Sequence, residues 1–198
     1  MARALIVVDL QQDFCPGGAL AVSGGDEIVG PINALMDHYD AVVLTQDVHP
    51  RNHTSFADNH PGAEPHQIVR MPYGGQILWP VHCVIGTPGA DFHEQLHVNR
   101  ADLILRKGFR PEIDSYSAFY ENDHRTSTGL AGYLHDRDLS DLSFVGLAHD
   151  FCVTWSAMDA ARLGFKVRVI EKACRAINVN GSLASARDGM RRAGVELV

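Results

Sequence analysis

The chain has 198 residues, 45% of them hydrophobic and 21% charged, so it can bury one good core, and a single domain over 1–198 is expected. Its formal net charge of -7 argues against nucleic acid or an anionic membrane as the main partner. The four cysteines, Cys15, Cys83, Cys152 and Cys174, stand far apart without a CxxC pair, which argues against a zinc ribbon or a disulfide framework and points to the reducing cytoplasm.

Ala4 to Val8 is a continuous apolar run, the pattern of a strand buried on both faces of a parallel sheet. It is too short for a signal-peptide core or a membrane span. It ends at Asp9, and glycine-rich turns follow. Asp26 to Tyr39 puts Ile28, Val29, Ile32, Leu35 and Met36 on one face and predicts a helix. Ala41 to Thr45 reads as the second strand. From about residue 57 to 89 the chain is rich in Pro, Gly and His with no clear period, and a stretch of that kind in a compact domain is usually functional. Asp102 to Arg106 reads as the third strand, ending at Lys107-Gly108, and Thr128 to Arg137 as a helix. Phe144 to Ala148 then predicts a strand, Cys152 to Leu163 a helix stopped at Gly164, and Val167 to Ile170 a strand. Together these make a βαβ unit with parallel strands. Ser182 to Arg192 is a last helix and Val195 to Val198 a sixth, short strand. Strands alternating with helices, and no clear hairpin between them, predict a three-layer α/β/α sandwich around a six-stranded, mostly parallel sheet.

In such sheets ligands bind beyond the carboxyl ends of the strands. Asp9 ends the first strand, Lys107 the third, and Cys152 follows the fourth through the turn His149-Asp150-Phe151. Each has an ordinary explanation by itself: a turn aspartate, a solvated lysine, a buried cysteine filling space. Only three lysines occur in the chain, however, and convergence at one end of one sheet supplies a proton carrier, a fixed positive charge and a nucleophile. A thiol in the first turn of a helix also faces unpaired N–H groups and the positive end of the helix dipole, which favour thiolate. Asp47, His49 and His53 form D-x-H-x3-H past the second strand, and His82 is a candidate fourth ligand from the long loop. One carboxylate and imidazoles suit zinc, iron or manganese. With 11 histidines present, some close spacing arises by chance.

These pieces together resemble the nicotinamidase/pyrazinamidase family of the isochorismatase-like cysteine hydrolases. The matching stretches are Val8 to Phe14, Asp47-Val48-His49 with His53, Trp79 to Cys83, Lys107-Gly108, Asp114 to Phe119 and Gly146 to Val153, in the family's order. The resemblance implies a metal-dependent cysteine amidohydrolase that converts nicotinamide to nicotinate and ammonia through a thioester, takes pyrazinamide, and serves NAD salvage. It implies Cys152 as nucleophile, Asp9 as general base and acid, and Lys107 as third member of the triad. Asp47, His49, His53 and His82 would bind one divalent transition metal, zinc, iron or manganese. The N–H groups of Ala148 and Cys152 would form the oxyanion hole behind a cis Leu147–Ala148 peptide. Phe14 and Trp79 would flank the substrate ring, with Tyr116, Leu147 and Phe151 beside it. The implied partner is the small molecule nicotinamide, without nucleic acid or membrane, and a homo-oligomer is compatible with it. His149 departs from the family's pattern, which carries Thr in many relatives. The competing readings are a relative acting on a carbamoyl, ureido or enol-ether substrate, and a metal-binding or redox protein without turnover.

Overall fold

The computed structural model describes residues 2–198. In chain order its main elements are β1 (Ala2–Val8), α1 (Val29–Met36), β2 (Ala41–Asp47), β3 (Ile68–Met71), β4 (Gly74–Ile77), β5 (Leu103–Lys107), α2 (Leu130–Asp136), β6 (Leu139–Gly146), α3 (Thr154–Arg162), β7 (Lys166–Cys174), α4 (Ser182–Arg192) and β8 (Glu196–Leu197). Six strands form one sheet in the order β5-β2-β1-β6-β7-β8, and every neighbouring pair is parallel. From β1 the chain crosses to β2 on one side, and from β6 it crosses to β7 and β8 on the other. Right-handed crossovers therefore put α1 on one face and α3 and α4 on the opposite one. The α/β/α layering is that of the sequence pattern, and the sheet is wholly parallel.

The apolar run of β1 is why that strand is central: Ala4, Leu5, Ile6, Val7 and Val8 are all buried between β2 and β6. β6 starts at Leu139, earlier than its apolar run, because the polar Asp141 is held there by Lys166 and Arg168 of the neighbouring β7. α1 is shorter than its apolar pattern, beginning at Val29 with Pro31 in the first turn, where a missing N–H costs no helical hydrogen bond.

The long stretch read as structureless holds a hairpin. β3 and β4 pair antiparallel, joined by Pro72-Tyr73. The expectation of no intervening hairpin is thus corrected. The pair stands off the main sheet, with the apolar Ile68 73% exposed and the polar Gln76 buried, so the residue types do not alternate with the covered face. Among the described residues no helix is long and apolar enough to cross a membrane.

Because the crossovers leave β1 and β6 in opposite directions, a crevice opens at the carboxyl ends of these two strands, where such sheets bind ligands.

Candidate active site

Asp9, Lys107 and Cys152 meet in this crevice. Asp9 follows β1 with a φ of +48°, in the left-handed region that Asp tolerates better than most residues. Its N–H donates to the Thr45 hydroxyl, and that hydroxyl donates back to Asp9 Oδ1. Lys107 is the last residue of β5, in register with Asp47 of β2, and is only 1% exposed. Its Nζ lies 2.8 Å from Asp9 Oδ2, 3.0 Å from Asp47 Oδ1 and 3.5 Å from Cys152 Sγ, and it donates to the Ser115 carbonyl at 2.9 Å. One ammonium therefore ties the three strand ends together.

Cys152 is delivered by the connection from β6 to α3. Gly146 ends β6 with a φ of +114°, and a Cβ there would lie 2.2 Å from the Val8 carbonyl oxygen, so only glycine lets β6 close against β1 at this point. The Leu147–Ala148 peptide that follows is cis, as the resemblance implied. His149–Val153 forms a wide, π-type turn ahead of α3, with Cys152 inside it. The Phe151 and Val153 N–H groups both donate to the Ala148 carbonyl. Among the described residues the Ala148 N–H itself donates to no protein acceptor.

The electrostatics correct one expectation. Burial pushes the Cys152 thiol well above its ordinary value of 9.0; Lys107 pulls it down, while the Asp9 and Asp47 carboxylates push it up. The helix-terminus argument for a resting thiolate is thus outweighed by desolvation and by two like-charged neighbours. Burial also raises the Asp9 carboxyl, against the pull of Lys107. Lys107 is raised well above 10.5, because the Asp47 and Asp9 carboxylates together outweigh the desolvation that works against its charge. The arrangement is a thiol with a proton acceptor at hand and a fixed cation between them.

Asp47 continues the network outward. Its Oδ2 lies 2.8 Å from His49 Nε2 and 3.6 Å from His82 Nε2. The other ring nitrogens, Nδ1 of His49 and of His82, sit 2.8 Å from the backbone carbonyls of Gly108 and Pro80 respectively. A ring nitrogen next to a carbonyl oxygen donates to it, so the Nε2 atoms of both rings are the ones that face Asp47. Asp47, His49 and His82 are buried and their ligand atoms converge closely enough to hold a cation, and the backbone carbonyls orient the rings as outer partners of metal ligands do. The donor set thus fits a divalent transition metal. The site accommodates the approach through Gly108, whose φ is +75° and where a Cβ would lie 2.6 Å from His49 Cε1.

His53 does not join that trio. Its Nδ1 lies 2.7 Å from the Ser55 hydroxyl and its Nε2 3.1 Å from the Ile113 carbonyl, so both nitrogens are occupied. It packs against His49, ring centroids 4.3 Å apart, in a second cluster with His49 and Asp114. Burial, followed by the nearby His49, lowers its pKa to about 4.

A narrow cavity opens onto Cys152, and Phe14, Trp79, Tyr116, Phe151 and Ala148 line it. Trp79 and Phe151 meet edge to face with centroids 5.0 Å apart. Leu147 does not line the cavity: it is fully buried, with its side chain against Gly25. Leu20, Asp114 and Ile177 do line it and were not singled out from the sequence. Asp114 lay within a matching stretch, but nothing in the local pattern marked its carboxylate. Ile177 is brought in by Asp150, whose carboxylate accepts the N–H groups of Ile177 at 3.1 Å and Asn178 at 2.7 Å. The His149 ring points away from the cavity, toward Glu171 of β7 at 3.8 Å, so the departure from Thr leaves the cavity wall unaltered.

An Asp–Lys–Cys contact at the switch point of a parallel sheet places this chain among hydrolases of the α/β class. The chain matches the isochorismatase domain over residues 3–198 and belongs to that family. It is 53% identical to the nicotinamidase of Acinetobacter baylyi over 195 residues, covering 98% of this chain and 91% of that one. It superposes on the nicotinamidase/pyrazinamidase structure of Acinetobacter baumanii with a TM-score of 0.98 at 52% identity, covering 100% and 95% of the two chains. The Pyrococcus horikoshii pyrazinamidase in complex with zinc is similar at a TM-score of 0.80 and 32% identity, covering 100% and 99%.

Proposed function

We propose that the protein hydrolyses nicotinamide to nicotinate and ammonia through a thioester on Cys152, and that it accepts pyrazinamide. The observation that carries the reading is the position of Lys107 Nζ, in contact with the Asp9 carboxylate and the Cys152 sulfur at the edge of the Asp47–His49–His82 cluster. Several relatives bear the name nicotinamidase, which agrees with it.

The residues support a complete proton cycle. Asp9 takes the proton of the Cys152 thiol as the sulfur attacks the amide carbon. The N–H groups of Ala148 and Cys152 stabilise the oxyanion, each donor contributing about 3 kcal/mol. Asp9 returns the proton to the leaving nitrogen, ammonia departs, and the acyl group stays on sulfur. Asp9 then deprotonates a water, which attacks the thioester. Nicotinate leaves, and the proton returns to Cys152. Lys107 stays charged throughout and keeps Asp9 a usable base in a buried site.

Asp47, His49 and His82 would hold the metal, with zinc, iron and manganese all compatible with the donors. When bound there, the ion supplies a Lewis-acidic position for a pyridine-type ring nitrogen. We read the chain as one domain acting in the cytoplasm, where the reaction would feed NAD salvage.

The test is kcat/KM for nicotinamide, pyrazinamide and benzamide, with ammonia as the readout. Benzamide keeps the shape and the amide but lacks the ring nitrogen. A polar site rejects an analogue lacking its partner by roughly 10⁴-fold when nothing replaces the contact, and water retained on the metal reduces this to about 10²-fold. Equal turnover of benzamide and nicotinamide would sink the substrate assignment.

A further inference from the structure

Gln76 differs from the rest of its hairpin. β3 and β4 largely face solvent, yet Gln76 is 1% exposed. Its Nε2 lies 2.7 Å from Asp114 Oδ2, 3.2 Å from the Tyr116 hydroxyl and 2.7 Å from the Ile77 carbonyl. Its Oε1 accepts from the Tyr73 hydroxyl at 3.1 Å and from Asn122 Nδ2 at 3.4 Å. The Tyr116 hydroxyl accepts a second bond, from Trp79 Nε1 at 3.0 Å. Asp114, Tyr116 and Trp79 all line the cavity beside Cys152, and Gln76 does not.

We propose that Gln76 is a positioning residue that determines ring fit: the hairpin delivers one carboxamide whose hydrogen bonds fix the Asp114–Tyr116–Trp79 wall of the cavity. This deepens the nicotinamide reading and rests on it. Without the carboxamide, Asp114 loses, among the described residues, the one side-chain donor to its Oδ2, and the Tyr116 hydroxyl keeps Trp79 alone. Buried polar groups left short of partners reorient to find others, and they carry the aromatic wall with them. Neither Asp9, Lys107 nor Cys152 bonds to Gln76, so the loss falls on binding and leaves chemistry in place.

Gln76→Met keeps the volume and removes the hydrogen bonds. It should raise KM for nicotinamide about tenfold, with kcat within about threefold of the parent. It should also relax selectivity, lowering the kcat/KM ratio of nicotinamide to 5-methylnicotinamide by about tenfold. Combined with Tyr116→Phe, its effect on KM should shrink, because both changes break the same network. Tyr73→Phe removes a single bond from the edge of the network and should move KM and the ratio in the same direction by about threefold; it decides the matter if Gln76→Met does not fold. A lower melting temperature with KM and the ratio unmoved would make Gln76 a purely structural residue and overturn the inference, as would a fall in kcat at constant KM. A parent that releases no ammonia from nicotinamide overturns the substrate reading and this inference with it. An active parent whose variants bind and select as it does overturns this inference alone.

Discussion

Replacing Lys107 by Met tests what holds the site together. The Nζ contacts Asp9 Oδ2 at 2.8 Å and Asp47 Oδ1 at 3.0 Å, and the side chain is fully enclosed. Methionine preserves the stem and removes the charge, which leaves two buried carboxylates facing each other. Removing one partner of a buried ion pair costs roughly 3–5 kcal/mol. In a chain of this length each kcal/mol moves the melting temperature by about 2–4 °C, so a fall on the order of 6–20 °C is expected. The loss depends on pH through Asp9, whose carboxyl burial already raises above 3.8 and which rises further without Lys107. A raised carboxyl holds a proton in the folded state that the unfolded chain has released, so stability falls as pH rises from the unfolded value toward the folded one. The gap between parent and variant should therefore be wider at neutral pH than at a pH near the unfolded carboxyl value. Thermal unfolding followed by circular dichroism in the presence of a chelator measures the gap, and ammonia release from nicotinamide measures function, which should be undetectable. A variant that melts with the parent at both pH values, or still turns over, would refute the role given to this lysine.

Cys152→Ala and Asp9→Asn should both lose ammonia release to the detection limit with native far-UV spectra, because the three groups act as one unit; turnover by either removes the covalent mechanism. His82→Ala should lose metal on gel filtration, measured by elemental analysis, while His53→Ala should keep it, since its nitrogens are taken by Ser55 and Ile113; equal losses would return His53 to the ligand set. Gly108→Ala should weaken metal affinity by about 10–100-fold in a folded protein, by displacing two ligands through contact with His49 and Asp47.

The sequence by itself determined the architecture. Apolar runs such as Ala4 to Val8 and Val167 to Ile170, set between helical repeats, are local signals, and a mostly parallel sheet follows from their alternation. The strand ends also marked Asp9, Lys107 and Cys152, because a polar residue closing an apolar run is visible without knowing its neighbours. The chain pattern could not show which of these residues touch. Only the tertiary structure brought Lys107 between Asp9 and Asp47, set His53 apart from the Asp47–His49–His82 cluster, turned Leu147 away from the cavity, brought Asp114 and Ile177 to its walls and placed Gln76 behind Asp114. It also reversed the expected state of the thiol, since desolvation and neighbouring carboxylates act through space and outweigh the local helix-terminus effect. The hairpin that carries Gln76 stayed hidden because its strands are four residues long and its one fully buried position is a polar Gln, which leaves no hydrophobic period to read.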